Sequence, residues 1–211
     1  MTNRPTRLLL VALAAMLLAP LTACGGADPS VAMSGAPATR AEAVHDGPAR
    51  IVSISTVATE MLFAIGAGDR VVAVDSMSNY PAAAPVTDLS GFEPNVEAIL
   101  GFEPDLVVLS YDPGDVVASL DAVGVATLIQ GAAYTIADTY SQIEALGAVT
   151  GDEAAAAALV GDMQAEMAAL VDSVRPRDEP LSYYHELDDT LFTVTSSTFI
   201  GEVYGLAGLA N

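Results

Sequence analysis

Between residues 50 and 130 the chain repeats one device: a short run that is apolar throughout, followed by apolar residues at helical spacing. The runs are Arg50–Ser55, Arg70–Asp75, Asp105–Ser110 and Val125–Gln130. Each is too short for a helix and shows no polar alternation, so each predicts a strand with no solvent face. The stretches between them, Thr56–Ile65, Asn95–Leu100, Asp115–Val123 and then Ile136–Val149, predict helices, with Gly66 closing the first. A strand that is apolar on both sides has to be covered on both sides. Strands alternating with helices supply that cover only in a parallel sheet flanked by helices, so the fold class is α/β.

The segment that follows is different. Asp152 to Val174 predicts one long Ala-rich helix, with Leu159, Val160, Met163, Met167, Leu170, Val171 and Val174 on one stripe. At 1.5 Å per residue it would run roughly 35 Å, the width of a small domain. Beyond Arg175-Pro176-Arg177 come a predicted strand, Leu181–Glu186, a hairpin return through Leu191–Thr195 and a helix over Thr198–Leu206. This predicts two lobes joined by a stiff rod. Two strands and one helix cannot cover both faces of a sheet, so the second lobe is expected to be incomplete at Asn211.

The N-terminus reads as an address. Arg4 and Arg7 precede an apolar stretch, Leu8–Ala19, that is too short for a permanent span, and Leu21-Thr22-Ala23-Cys24 follows. This layout predicts an export signal over residues 1–23, and its end resembles the lipobox of bacterial lipoproteins. By that resemblance Cys24, the chain's one cysteine, carries the lipid. The chain is then anchored to a membrane at the outer face of the cell, and no later apolar run is read as long enough to cross. Residues 24–48, rich in Gly, Ala, Pro and Ser, predict a flexible tether in which His45 is solvated. The formal net charge is −20, and losing the leader removes two arginines and no acid. Such a body is not drawn to nucleic acid or to an anionic bilayer surface.

The ordered part of the chain resembles a known family. The pieces are Arg-Ile-Val-Ser-Ile-Ser-Thr at 50–56 with Thr59-Glu60, Ser-Asn-Tyr-Pro at 78–81, Gly91 to Leu100, and Glu-Pro-Asp-Leu-Val-Val at 103–108. Thr198-Phe199-Ile200-Gly201-Glu202-Val203 and Ala207 to Asn211 complete the set. Their order and spacing are similar to those of the solute-binding proteins of ABC importers, in the class whose two lobes are joined by a helical backbone. The resemblance implies a two-lobed fold: an N-terminal α/β lobe over 49–151, a backbone helix over 152–176, and the start of a C-terminal lobe over 177–211. It further implies capture of vitamin B12 or another corrinoid, a ferric siderophore or haem, and delivery to a permease with its ATPase. The metal arrives inside the transported chelate, so no resident cofactor or protein-bound metal is expected, and a monomer is expected.

Loops at the carboxyl ends of parallel strands line the natural crevice of such a sheet. Here they carry Thr56, Met77 and Tyr111, with Phe92 and Tyr134 as further aromatic candidates. The resemblance gives Tyr111 a stacking role and Met77 a contact role, which suits an adaptable, polarizable side chain. From the second lobe it implies contacts by His185 and Glu186 at the end of their strand; Ser197 with Ser196, in the loop before the next helix, is placed to offer hydrogen bonds from that side. Glu97, near a helix start, is implied to dock against arginines of the permease. The first-lobe loops contain no arginine, which favours a corrinoid or another near-neutral chelate over an acidic one.

Other readings have fewer parts. There is no Gly-x-Ser-x-Gly elbow, phosphate loop or His-Glu-x-x-His helix, so a lipid-anchored hydrolase lacks its constellation and no enzyme is expected. A receptor for bare zinc or manganese would want several converging His and carboxylates, and only His185 lies in the ordered region. A structural or adhesive lipoprotein on a borrowed fold is the third alternative.

Overall fold

The computed structural model describes residues 47–175 and 177–211. The leader, Cys24, His45 and most of the tether lie outside the described residues. Four parallel strands, β1 (Ile51–Ile54), β2 (Val71–Val74), β3 (Leu106–Leu109) and β4 (Ala126–Ile129), form one sheet in the order β2-β1-β3-β4. β1 and β3 are buried along their whole length and pair in register from Ile51↔Leu106 to Ile54↔Leu109. The order reverses between them, and there the sheet has its topological switch point.

Alternation of side chains along the strands divides the core into two layers. Ile51, Leu106 and Val108 face α1 (Thr56–Ala64), α4 (Ile136–Thr150) and α5 (Glu153–Ser173) through Leu62, Ile143, Leu146 and Val160. Val52, Ile54, Val107 and Leu109 face α2 (Val96–Leu100) and α3 (Val116–Asp121) through Ile99, Val116 and Leu120. The expected cover on both faces is present over β1, β2 and β3, but β4 departs from it: as an edge strand it is half-buried to exposed, with Ile129 48% exposed. Ser53, whose polar side chain falls on a core face, is satisfied by the Thr59 hydroxyl, which donates to its Oγ at 2.8 Å.

The helix ends are local chemistry. Ser55, Asn95 and Thr198 each accept from a backbone N–H in the first turn of the helix that follows. Thr135 and Asp138 form a reciprocal capping box on α4. Arg50 is used in the same way: its Nη2 donates to the Phe102 carbonyl at 2.6 Å and its Nε to the Glu103 carbonyl at 3.0 Å. Asp105 accepts from the backbone N–H groups of Ala49 and Arg50, both at 2.9 Å. The Arg50 and Glu103-Pro104-Asp105 pieces of the family pattern are thus two halves of one clasp.

The long helix α5 is packed at one end and bare at the other. Gly151, at φ +77°, turns the chain between α4 and α5, and a Cβ on Gly147 would meet the Ala156 Cβ at 2.5 Å. Ala156 and Val160 are buried, Leu159 and Met163 are half-buried, and Leu170 is 64% exposed. The expected rod is thus, over its N-terminal half, part of the core on the α1 and α4 face of the sheet. By length and composition alone it could cross a membrane, which corrects the expectation that no later run could do so. The reason is its alanines, which raise its apolarity without adding bulky side chains.

The C-terminal segment departs further from expectation. The strand expected over Leu181–Glu186 stops at Ser182, so β5 is Leu181–Ser182, and it pairs in parallel with a short β6 (Leu209–Ala210) that follows α6 (Phe199–Leu206). The hairpin is reduced to a single antiparallel bridge, Glu186↔Thr193. α6 is tied to the start of α4 where the Ile136 N–H donates to the Glu202 carboxylate at 3.0 Å.

Candidate ligand site

Three loops converge at the carboxyl ends of β1, β2 and β3, beside the switch point. The loop after β1 supplies Ser55 and Thr56, the loop after β2 supplies Asp75 and Met77 and, further on, Gly91 and Phe92, and the loop after β3 supplies Ser110 and Tyr111. Together they line a cavity of about 260 Å³. This is smaller than the roughly 300–1,000 Å³ of ordinary small-molecule pockets, so it is a shelf on which a bulky ligand lies and not a pocket that swallows one.

The rim is apolar and outward-facing. Met77 is 64% exposed and Phe92 72%. Tyr111 is more restrained, at 42%, because its hydroxyl donates to the Phe92 carbonyl at 3.0 Å. That bond fixes one aromatic against the backbone of the loop carrying the other. Large apolar side chains held in water at a concave edge are costly to solubility and mark a contact surface.

Below the rim lies a buried acid that the sequence pattern did not single out. Asp75 is 3% exposed. Its Oδ1 accepts from the backbone N–H groups of Met77 at 2.8 Å and Ser78 at 2.9 Å, an Asx turn that aims the Met77 loop. The available signal is an aspartate heading a turn in Asp75-Ser76-Met77-Ser78, which in sequence also fits the end of a strand.

Thr56, Met77, Phe92 and Tyr111 are thus brought together, while His185, Glu186 and Ser197 do not line this shelf. His185 is half-buried, with Nδ1 2.9 Å from the Tyr204 hydroxyl. Glu186 is exposed beside Thr193, and the Ser197 Oγ lies 2.9 Å from the Thr195 Oγ1. Glu97 is exposed in the first turn of α2. Tyr134 is 81% exposed and belongs to a separate depression along β4 and α4, with Gln130 and Asp138. Hydrogen bonds from the Thr135 side chain, then from the backbone of Thr135 and Tyr134, hold the Asp138 carboxyl below the usual aspartate range. Among the described residues no group of three or more His, Cys, Asp or Glu is placed to hold a metal ion.

Residues 51–211 match the family model described as periplasmic binding protein. A cobalamin-binding protein of Halobacterium salinarum is 34% identical over 168 residues, covering 76% of this chain and 45% of that protein. An uncharacterised ABC transporter substrate-binding lipoprotein of Bacillus subtilis, YvrC, is 28% identical over 173 residues, covering 78% of this chain and 55% of its own length. The chain therefore spans about half the length of the curated relatives it matches. Among solved structures, the periplasmic heme-binding protein RhuT of Roseiflexus superposes with a TM-score of 0.67 at 26% identity, covering 78% of this chain and 66% of that one.

Proposed function

The chain belongs to the periplasmic binding protein family, and on that premise we propose that it captures a bulky metal chelate outside the cell membrane and hands it to an ABC permease. The observation that carries this reading is the shelf at the switch point, with Met77 and Phe92 presented from the loop after β2 and Tyr111 from the loop after β3. Flat, extended chelates offer the apolar faces such a rim can stack against. Among chelates, a cobalt corrinoid is favoured over a ferric siderophore or haem: a cobalamin-binding protein is a relative at 34% identity, and no arginine lines the shelf.

The finer assignments belong to the same reading. Tyr111 stacks on the ligand, Met77, Phe92 and Thr56 contact it from the first lobe, and His185, Glu186 and Ser197 contact it from the C-terminal lobe, which begins near residue 177. Glu97 docks on the permease. Residues 1–23 are the leader, and lipid on Cys24 anchors a monomer through the tether at 24–48; the lipoprotein relative supports that anchoring. The 49–151 lobe and the 152–176 backbone helix complete the layout. A bare-ion receptor and a hydrolase are both disfavoured, because the family is one of solute binders and the rim is apolar.

Equilibrium dialysis of the purified chain against cyanocobalamin, haemin and a ferric hydroxamate siderophore tests the proposal. Saturable binding of the corrinoid, tighter than that of the other two, is expected. Absence of saturable binding to all three would overturn it.

A further inference from the structure

We infer that Asp75 is the specificity-determining acceptor of this shelf: its free carboxylate oxygen takes a hydrogen bond from an amide or hydroxyl on the ligand and rejects ligands that present an acid there. The inference rests on the chelate-capture reading and goes beyond it to the chemistry of the ligand's edge.

A carboxylate is rarely buried unless it is paired, and Asp75 is 3% exposed. Among the described residues no basic side chain pairs with it, and its two side-chain hydrogen bonds, from the N–H groups of Met77 and Ser78, both go to Oδ1. Oδ2 has no donor among the described residues. It lies 3.1 Å from the position a Cβ on Gly91 would take, where the Ile54 carbonyl would be 2.9 Å away. A side chain at Gly91 would therefore cover this oxygen, and glycine leaves it facing the cavity.

Asp75 is the single formally charged residue lining the shelf. A ligand's carboxamide N–H, hydroxyl or ammonium meets it with a charge-assisted hydrogen bond. A ligand carboxylate at the same point meets a like charge in a dry site, an arrangement that interfaces use to exclude partners. The chain's net charge of −20 acts in the same direction at long range. Corrinoids carry a ring of carboxamides, each of which becomes a carboxylate on hydrolysis, so the two chemistries can be compared on one scaffold.

The test is equilibrium dialysis of cyanocobalamin and of its separate monocarboxylates, each with one propionamide hydrolysed, against the full chain and its Asp75→Asn variant. Asparagine keeps Oδ1 as the acceptor for Met77 and Ser78 and turns Oδ2 into an N–H donor. The unaltered chain should prefer the amide over at least one monocarboxylate by about tenfold or more, and Asp75→Asn should shrink or invert that ratio with unchanged thermal unfolding. If Asp75→Asn unfolds, Asp75→Ser keeps a turn-forming acceptor and removes the charge, and should likewise shrink the ratio. Equal ratios in the unaltered chain and a folded variant for every isomer would overturn this inference and leave chelate capture standing. Failure of the unaltered chain to bind any corrinoid would overturn both.

Discussion

Arg70 and Asp152, eighty-two residues apart, form an ion pair that is almost wholly buried, with side-chain exposures of 12% and 7%. The same guanidinium donates through Nη1 to the Thr150 carbonyl at 2.7 Å and the Pro48 carbonyl at 3.2 Å. One side chain just before β2 therefore grips both the end of α4 and the residue that opens α5.

Removing it should loosen that junction. Arg70→Ala removes the guanidinium that joins the Thr150 and Pro48 carbonyls to Asp152, and should destabilise the fold by about 1–3 kcal/mol, the cost of charge-assisted hydrogen bonds lost in a buried setting. Arg70→Lys should recover only part of the loss, because one ammonium cannot reproduce the fork that reaches two carbonyls and a carboxylate. Urea unfolding followed by circular dichroism measures both, and an alanine variant as stable as the parent would contradict the role.

The Tyr111 hydroxyl and ring can be separated. Tyr111→Ala should weaken corrinoid binding by about three- to tenfold, the worth of one aromatic contact. Tyr111→Phe keeps the ring, loses the bond to the Phe92 carbonyl, and should cost clearly less. Calorimetric titration of the three chains decides it; equal affinities would remove the stacking role.

Glu97 should behave in the opposite way. It is exposed on α2, away from the shelf lining, so Glu97→Ala should leave ligand affinity unchanged while slowing uptake several-fold. Rim charges act mainly on encounter and on its salt dependence. Uptake of labelled cobalamin into vesicles carrying the matching permease and ATPase measures this, and an undiminished rate would sink the docking role.

Acid should reach the α4 cap. Hydrogen bonds from Thr135 and Tyr134 hold the folded-state pKa of Asp138 below its unfolded value. Its contribution to stability is therefore present above the ordinary aspartate range and is lost as the pH falls through the depressed folded value. Asp138→Asn should flatten the acid limb of a stability-versus-pH curve measured by thermal unfolding. A limb of unchanged slope would show that the cap carries no such linkage.

Much of this architecture was legible because its signals are local. The runs at Ile51, Val71 and Leu106 are apolar on both faces, and only a covered parallel sheet accepts such strands; the run at Ala126 reads the same way, yet at the sheet edge it is half-buried to exposed. Gly66 marks the end of α1 through its positive φ, and Ser55, Asn95 and Thr135 open the helices that follow them with side-chain caps. Spatial signals were harder to read. The α5 stripe named an apolar face without saying what covers it, and Ala156, too small to be counted, is buried where Leu170 is not. β6 is two residues long and has no period to detect. Of the site, Met77 and Tyr111 could be read from their loops. Asp75 could not, because a carboxylate beneath a shelf is indistinguishable in sequence from one at the end of a strand until Gly91 is seen across from it.

The bond from the Ile136 N–H to Glu202 has a mechanical corollary. Any swing of α6 away from α4 must first surrender that contact and leave the Ile136 N–H to water. Amide exchange at Ile136 would then act as a built-in gauge of how far the C-terminal segment has moved. Protection there that stayed constant while α6 was displaced would show that the two are not geared together.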